Sequence, residues 1–435
     1  MRATPLFTGL DARLPALREL YQDLHAHPEL AFQEVRTAGV VAKLLRAQGW
    51  EVTERVGGTG VVGVLGSSAG PVVLLRADMD GLPVLEATGL PYASTRTGVD
   101  ADGAEVPVMH ACGHDMHVTC LLGATALLAA NRHAWRGTVV AVFQPAEEVS
   151  GAQAMIDDGF AERFPRPDVC LAQHVGPIPT GIAATRPGAV MSASDSFFVR
   201  LFGRGGHGSA PEHTVDPVVM AAALVMRLQT VVSREVGANQ AAVVTVGSLH
   251  SGTKENIIPD TAEMKINIRS SDPAVRTRVI ASVERIVQAE ALAAGAPKGP
   301  EITPLNSFPL TLNDADATAT AMAGLEAVLG EGQVWTLPQP ITGSEDFGAF
   351  GASMRVPSVF WHFGGADPAL FPDPSPAALT GGGLPPGVPY NHSPLYAPLQ
   401  DPTIALGVRA LLGAAGQWLV GGDAGWRASR AGPRR

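Results

Sequence analysis

The sequence is poor in cysteine, with only Cys112, Cys120 and Cys170 in 435 residues. Three thiols in a chain of this length cannot build a disulfide framework, so a reducing cytoplasm is the expected compartment. Charge is sparse at 17% of residues, and it leans acidic: 41 Asp and Glu against 31 Lys and Arg, a net −10. That balance argues against nucleic acid or an anionic membrane as the main partner. No apolar run is expected to span a bilayer. The stretch VTCLLGATALLAA at 118–130 is apolar for 13 residues, which suits a buried helix. The opening MRATPLFTGLDARLPALREL has neither a continuous hydrophobic segment nor a small-residue cleavage site, so no secretion signal is expected. Internal repeats, long low-complexity segments and a credible Ser-His-Asp set with its nucleophile elbow are not read either.

Apolar types make up 46% of the chain, enough for a sizeable core in about two to three domains of 100–200 residues. Helical patterns cover 12–26 and 34–48, and WEVTERV opens an extended segment. Three apolar, β-branched runs then end in polar clusters: VVLLRADMD (72–80) at Asp78 and Asp80, TVVAVFQPAEE (138–148) at Glu147 and Glu148, and DVCLAQHV (168–175) around His174. Apolar strands separated by helices imply an α/β domain with a largely parallel sheet covered on both faces. Ligand sites in such sheets lie outside the carboxyl ends of the strands, where all three clusters fall. From 194 onward the order is β-α-β-β-α-β, with Asp272 and Pro273 opening the second helix, which is the ferredoxin-like split motif. The expected organisation is a catalytic α/β domain at 1–187 and 303–435, with a ferredoxin-like domain inserted at 188–302. An irregular surface loop is expected at 364–389, and the tail WRASRAGPRR is expected to fray.

MHACGHDMH (109–117) is the densest chemical signal, with His110, Cys112, His114, Asp115 and His117 just before a helical run. Cys112 and His114, two apart across a glycine in a loop, can converge on one ion, since thiolate and imidazole both suit zinc and related metals. A lone histidine would more often be structural; several potential ligands in so short a span reverse that preference. Cys120 and Cys170 lie in apolar runs and read as small buried hydrophobes. The adjacent carboxylates Glu147 and Glu148 are either a solvated strand end or a pair divided between metal ligand and proton acceptor. Asp78 and Asp80 could orient a ligand histidine from behind. His174 and His392 are uninformative alone. His207, in the turn GRGGHGS, is either a donor reaching into a site or an ordinary loop histidine. Arg269 is either a carboxylate clamp or a surface charge, and Asn256 lies in the hairpin loop KENIIPD.

The strings LHAHPELAFQE (24–34), RADMDGLP (76–83), HACGHD (110–115), QPAEE (144–148), QHVGPIPTG (173–181), GGHGSAP (205–211), ENIIPD (255–260), TGSEDFG (342–348) and NHSP (391–394) occur in one order. Together they resemble the amidohydrolase branch of the aminoacylase/carboxypeptidase family of dinuclear metallopeptidases. That branch includes hippurate hydrolase, N-acyl-amino-acid amidohydrolases and auxin-conjugate hydrolases. The resemblance implies two divalent ions per subunit (Mn, Zn, Co or Ni) held by Cys112, His114, Glu148, His174 and His392, with Cys112 bridging. It implies Glu147 as general acid/base, Asp80 as the carboxylate orienting a metal-site histidine, and His207 as the oxyanion donor. Asn256 and Arg269 would bind the substrate's carboxylate end. It further implies a small N-acyl amino acid substrate and a homodimer formed through the inserted domain. Glu212 before His213, and VSGAQAM after QPAEE, depart from the branch's usual strings. A dipeptidase or carboxypeptidase using the same chemistry, a non-catalytic metal-binding scaffold, and thiol redox chemistry at Cys112 are the alternatives; the last lacks a resolving cysteine.

Overall fold

The structure is a computed structural model that describes residues 4–378, 380 and 383–420. The tail WRASRAGPRR and part of the 364–389 loop lie outside the described residues. The chain divides into two units: residues up to Val190 with Leu312–Ile341 and Asp346 onward, and Met191–Thr311 with Thr342–Glu345.

The first unit is built on an eight-stranded mixed sheet. Its order is Glu51–Val56, Gly60–Gly66, Thr138–Gln144, Val72–Asp78, Val169–Pro179, Ser358–Ala366, Ala183–Thr185, Val334–Thr336. The middle strands pair in parallel, from Thr138–Gln144 across to Ser358–Ala366. The expectation of a largely parallel sheet needs correction at the edges. Glu51–Val56 and Gly60–Gly66 form an antiparallel hairpin that joins the sheet antiparallel, and Ala183–Thr185 runs antiparallel to Ser358–Ala366. Alternation assigns the two faces. Val73, Leu75, Ala77, Val139, Ala141 and Phe143 join the core formed with the helices Leu10–His25, His114–Ala130 and Thr403–Leu419. Leu74, Arg76, Asp78, Val140, Val142 and Gln144 alternate with them and are also buried, so both faces are covered.

Gly66-Ser67-Ser68-Ala69-Gly70 has the G-x-S-x-G spacing, but it leads from one strand to another, not from strand to helix.

The second unit carries a four-stranded antiparallel sheet in the order Ala242–Ser251, Thr261–Ser270, Ala193–Phe202, Glu301–Phe308. The helices Pro217–Thr230 and Pro273–Ala293 pack on it, completing the split β-α-β-β-α-β arrangement. Asp272 caps the second helix by accepting from the N–H groups of Ala274 and Val275. The last strand runs to Phe308, so an exit at 302 would cut it. One helical stretch, Pro217–Glu235, is long and apolar enough to cross a membrane by length and composition, contrary to expectation. Met220, Ala221, Leu224, Leu228 and Val231 from this stretch are buried in the unit's own core.

A buried histidine ties the start of the first unit to the HACGHD segment. His25 bonds Asp115 through Nδ1 at 2.7 Å and Glu86 through Nε2 at 3.0 Å, with all three side chains out of solvent. Burial alone would lower its pKa. The hydrogen bonds and charges of Asp115 and Glu86 outweigh that and raise it from 6.5 to about 10. The stabilisation is therefore complete below the unfolded value of 6.5 and disappears as pH rises through about 10. His25→Ala leaves two buried carboxylates without their partner, an expected loss of about 3–5 kcal/mol at pH 6. Urea unfolding midpoints of both proteins at pH 6 and pH 10 check this. The gap should narrow at the higher pH, and equal midpoints at pH 6 would refute it.

Candidate metal centre

The carboxyl ends of two neighbouring parallel strands supply the acids. Val72–Asp78 ends on Asp78, and Asp80 follows two residues on. Thr138–Gln144 is followed by Ala146 at φ 52° and a tight 3-10 turn, Glu147–Val149. Glu147 and Glu148 therefore sit on a turn beyond the strand, not at its end. His174 lies inside a strand, since Val169–Pro179 continues past it. Cys112 is in a loop, but His114 is the first residue of the helix His114–Ala130. Gly113 between them has φ 84°, and a Cβ there would stand 2.5 Å from Val175 Cγ1, so this turn requires glycine. His392 sits at φ 70° in its loop, and its N–H donates to the Ala111 carbonyl at 2.7 Å.

These segments bring Asp80, Cys112, His114, Glu147, Glu148, His174 and His392 together. Asp80 Oδ1 lies 3.1 Å from His114 Nδ1 and accepts from Glu147 N–H at 3.0 Å, while Oδ2 accepts from Glu148 N–H at 3.1 Å. Donor atoms of Cys112, His114 and Glu148 lie within 4.8 Å of one another. Cys112 Sγ is 3.5 Å from His174 Nε2, and His392 Nε2 is 3.1 Å from Glu148 Oε1. His174 donates Nδ1–H to the Val175 carbonyl at 2.8 Å, which leaves Nε2 as its lone-pair nitrogen.

The donors fit a metal. His114 Nε2 is buried without a hydrogen bond, an arrangement that costs stability unless an ion takes up the lone pair. Thiolate, imidazole and carboxylate together suit zinc and its neighbours. Burial and the neighbouring His117 hold His174 well below its usual pKa, in the neutral form a ligand needs. Hydrogen bonds to Cys112 and Glu148 raise His392 to about 10, so positive charge is favoured at that point of the cluster.

Other residues of the HACGHDMH segment have different work. Asp78, His114, His117 and His174 also bring donor atoms within 4.8 Å. Both nitrogens of His117 are already used, however: Nδ1 bonds Asp78, and Nε2 accepts from Val175 N–H at 2.7 Å. Asp115 is taken by His25 and by Met116 N–H. His110 is buried with neither nitrogen bonded, and burial lowers its pKa to about 4. Cys120 and Cys170 are fully buried, with their thiols pushed up by burial, as their apolar runs imply.

Arg76 has a role that sequence reasoning missed. It is buried and bonds Gln144 at 2.8 Å, Asp78 at 2.6 Å and Asp346 at 3.2 Å. Its signal in the sequence was a charge inside an apolar strand. His362, whose ring centre is 6.0 Å from that of His174, gave none.

His207, Asn256 and Arg269 belong to the second unit. His207 is exposed, and its Nδ1 accepts from Ser209 N–H at 3.1 Å, which puts the proton of the neutral ring on Nε2. Asn256 is exposed in the hairpin loop, where its carbonyl accepts from Gly208 N–H. Arg269 donates to the Thr342 carbonyl at 2.9 Å.

A mixed sulfur, nitrogen and oxygen donor set at the strand ends of an α/β unit, in a chain that also carries a ferredoxin-like unit, defines a metallohydrolase class. Comparison with known proteins agrees. The profile of Peptidase family M20/M25/M40 matches residues 74–378. Hippurate hydrolase of Campylobacter jejuni subsp. jejuni is 39% identical over 353 residues, covering 80% of this chain and 88% of its own length. Thermostable carboxypeptidase 1 of Saccharolobus solfataricus is 36% identical over 352 residues, covering 80% and 85%. The solved structure of the Bacillus subtilis YXEP protein, described as a dinuclear metal binding peptidase from the M20 family, is similar at a TM-score of 0.71. It is 26% identical and covers 94% of this chain and 99% of its own. The chain belongs to peptidase family M20, in its amidohydrolase branch, and is a hydrolase of amide bonds.

Asp80→Ala removes the acceptor behind His114 and frees both turn amides. Loss of a partner of this kind is expected to weaken metal binding about 10–100-fold, read by Co²⁺ titration of the visible spectrum. Unchanged affinity would remove Asp80 from the centre. Chelation of the metal-loaded protein should also expose one titratable thiol at Cys112, with Cys120 and Cys170 silent until unfolding.

Proposed function

We propose that the chain hydrolyses the amide of N-acyl amino acids, hippurate-like compounds among them, to a carboxylate and a free amino acid. The observation that carries this reading is the Glu147–Glu148 turn. Both of its amides are fixed by Asp80 beside the sulfur, nitrogen and oxygen donors, and Glu147 is itself buried at 5% exposure. Metal storage alone has no use for a second carboxylate held there, which disfavours the scaffold alternative.

Cys112, His114, Glu148, His174 and His392 would hold two divalent ions, with manganese, zinc, cobalt and nickel all compatible with the donors. When bound, the ions would polarise the scissile carbonyl and bring the pKa of the attacking water towards neutrality. Glu147 accepts the proton of that water as the new C–O bond forms. It then delivers the proton to the nitrogen as the C–N bond breaks, since the amine must leave protonated. The Nε2–H of His207 is the donor proposed for the oxyanion. Asn256 and Arg269 are proposed for the substrate's carboxylate. The homodimer through the inserted unit and a cytoplasmic location, in keeping with three free cysteines, belong to the same reading.

The carboxypeptidase relative at 36% identity favours one second reading, cleavage of peptides by the same groups. Newly released amine is measured across N-acetyl, N-benzoyl and longer N-acyl amino acids and matched dipeptides, with Mn²⁺, Zn²⁺ or Co²⁺ added. Metal-dependent release from the acyl amino acids is expected. Release from dipeptides alone selects the peptidase, and silence with two ions bound makes an acyl group outside the panel, or the scaffold, the next reading to test. Glu147→Ala should keep its metal and lose about 10²–10⁴-fold in turnover. Near-normal turnover would end its role as the base. Light scattering should give a dimer.

A further inference from the structure

We propose that Glu34 is a positioning residue for the reaction: its buried carboxylate holds the peptide of Ala146 and so sets where Glu147 and Glu148 point. This rests on the roles proposed above for those two glutamates.

Glu34 stands immediately before the helix Val35–Ala47, where an acidic side chain would ordinarily cap the free N–H groups. It makes no capping bond. Glu29 does that work instead, accepting from Arg36 N–H at 2.9 Å through Oε1 and from Thr37 N–H at 2.8 Å through Oε2. Relieved of capping, Glu34 turns inward and is fully buried. Its Oε1 accepts from Phe32 N–H at 3.0 Å and from Ala146 N–H at 2.8 Å, and its Oε2 accepts from the Thr59 hydroxyl.

Both residues whose amides it binds have left-handed backbones without being glycine, Phe32 at φ 62° and Ala146 at φ 52°. Such conformations persist where surrounding bonds over-determine them. Beyond Ala146 the next two amides go to Asp80. Three consecutive N–H groups of the turn are therefore held by two buried carboxylates from separate segments. Retaining an acid here is costly, since burial and the nearby charge of Asp80 push Glu34 up to about 7.

Glu34→Ala leaves the Ala146 amide unpaired, and Glu34→Asp pulls the carboxylate one methylene short. Glu34→Gln keeps the acceptor oxygen for both amides and can donate its NH₂ to Thr59. The three variants and the wild type are assayed for kcat and KM on the best acyl amino acid, and for Co²⁺ affinity by visible absorbance. Glu34→Ala and Glu34→Asp should lose about 10²-fold in kcat, with KM within about threefold, because the turn is misplaced while the substrate contacts remain. Their Co²⁺ affinity should fall about 10–100-fold, because Glu148 shares the turn. Glu34→Gln should restore both quantities to within about threefold of wild type.

Wild-type behaviour in Glu34→Ala, or a Glu34→Gln as impaired as Glu34→Ala, would overturn the proposal. If Glu34→Ala does not fold, Glu34→Asp against Glu34→Gln decides it, and equal values in that pair count against it. If the wild type releases no amine from any amide, the proposed function fails, and the Co²⁺ measurements alone decide Glu34.

Discussion

The site depends on a single carboxylate. Asp80 accepts from the amides of Glu147 and Glu148 and holds Nδ1 of His114, so one side chain joins the strand end, the acidic turn and the start of the metal-site helix. Hydrogen bonds to a charged acceptor contribute about 1.5–3 kcal/mol each, enough to fix the turn against its own backbone preferences. The bond to Nδ1 also selects the tautomer of His114, leaving Nε2 as the lone-pair nitrogen among the donors.

Beneath this lies a buried charged layer. Arg76 bridges Asp78 and Asp346 and also bonds Gln144, which in turn donates to Asp346 at 2.8 Å. Asp78 turns the ring of His117 so that Nε2 can take the Val175 amide. The Val175 carbonyl accepts from His174 Nδ1 and from the Tyr396 hydroxyl. His174 is thus held by the Val175 carbonyl, and the Val175 amide by His117, whose two ring nitrogens are both hydrogen-bonded. Asp78 is held well below the usual carboxylate range despite its burial, with the Arg76 guanidinium and the His117 hydrogen bond among the causes. The metal-site geometry is set by charge pairing one layer behind the donors, where water cannot screen it.

Much of this was legible in the sequence, unevenly. Apolar strands ending in acids predicted a cleft at the strand ends, and Cys112, His114, Glu148 and Asp80 do meet there. The split β-α-β-β-α-β order of the second unit was readable from the succession of strands and helices, with Asp272 and Pro273 marking the start of the second helix. The roles within HACGHDMH were not readable. His110, His114 and His117 are the same residue type within eight positions, and only their neighbours separate an unbonded buried ring, a donor and a backbone clamp. Glu29 caps the helix beside it while Glu34 turns inward to the Ala146 amide, and that direction depends on a turn more than 100 residues away. The antiparallel edge hairpin was invisible for a related reason, since strand direction depends on which neighbour a strand finds.

The sequence by itself determined the elements, the chemical inventory and the order of the two units, because periodicity, capping and residue type are local properties. The tertiary structure alone decided which histidine nitrogens keep a free lone pair and which carboxylates hold backbone instead of solvent. Those outcomes follow from hydrogen-bond competition among groups distant in the chain, and each buried donor or acceptor must find its partner only after the strands have placed it.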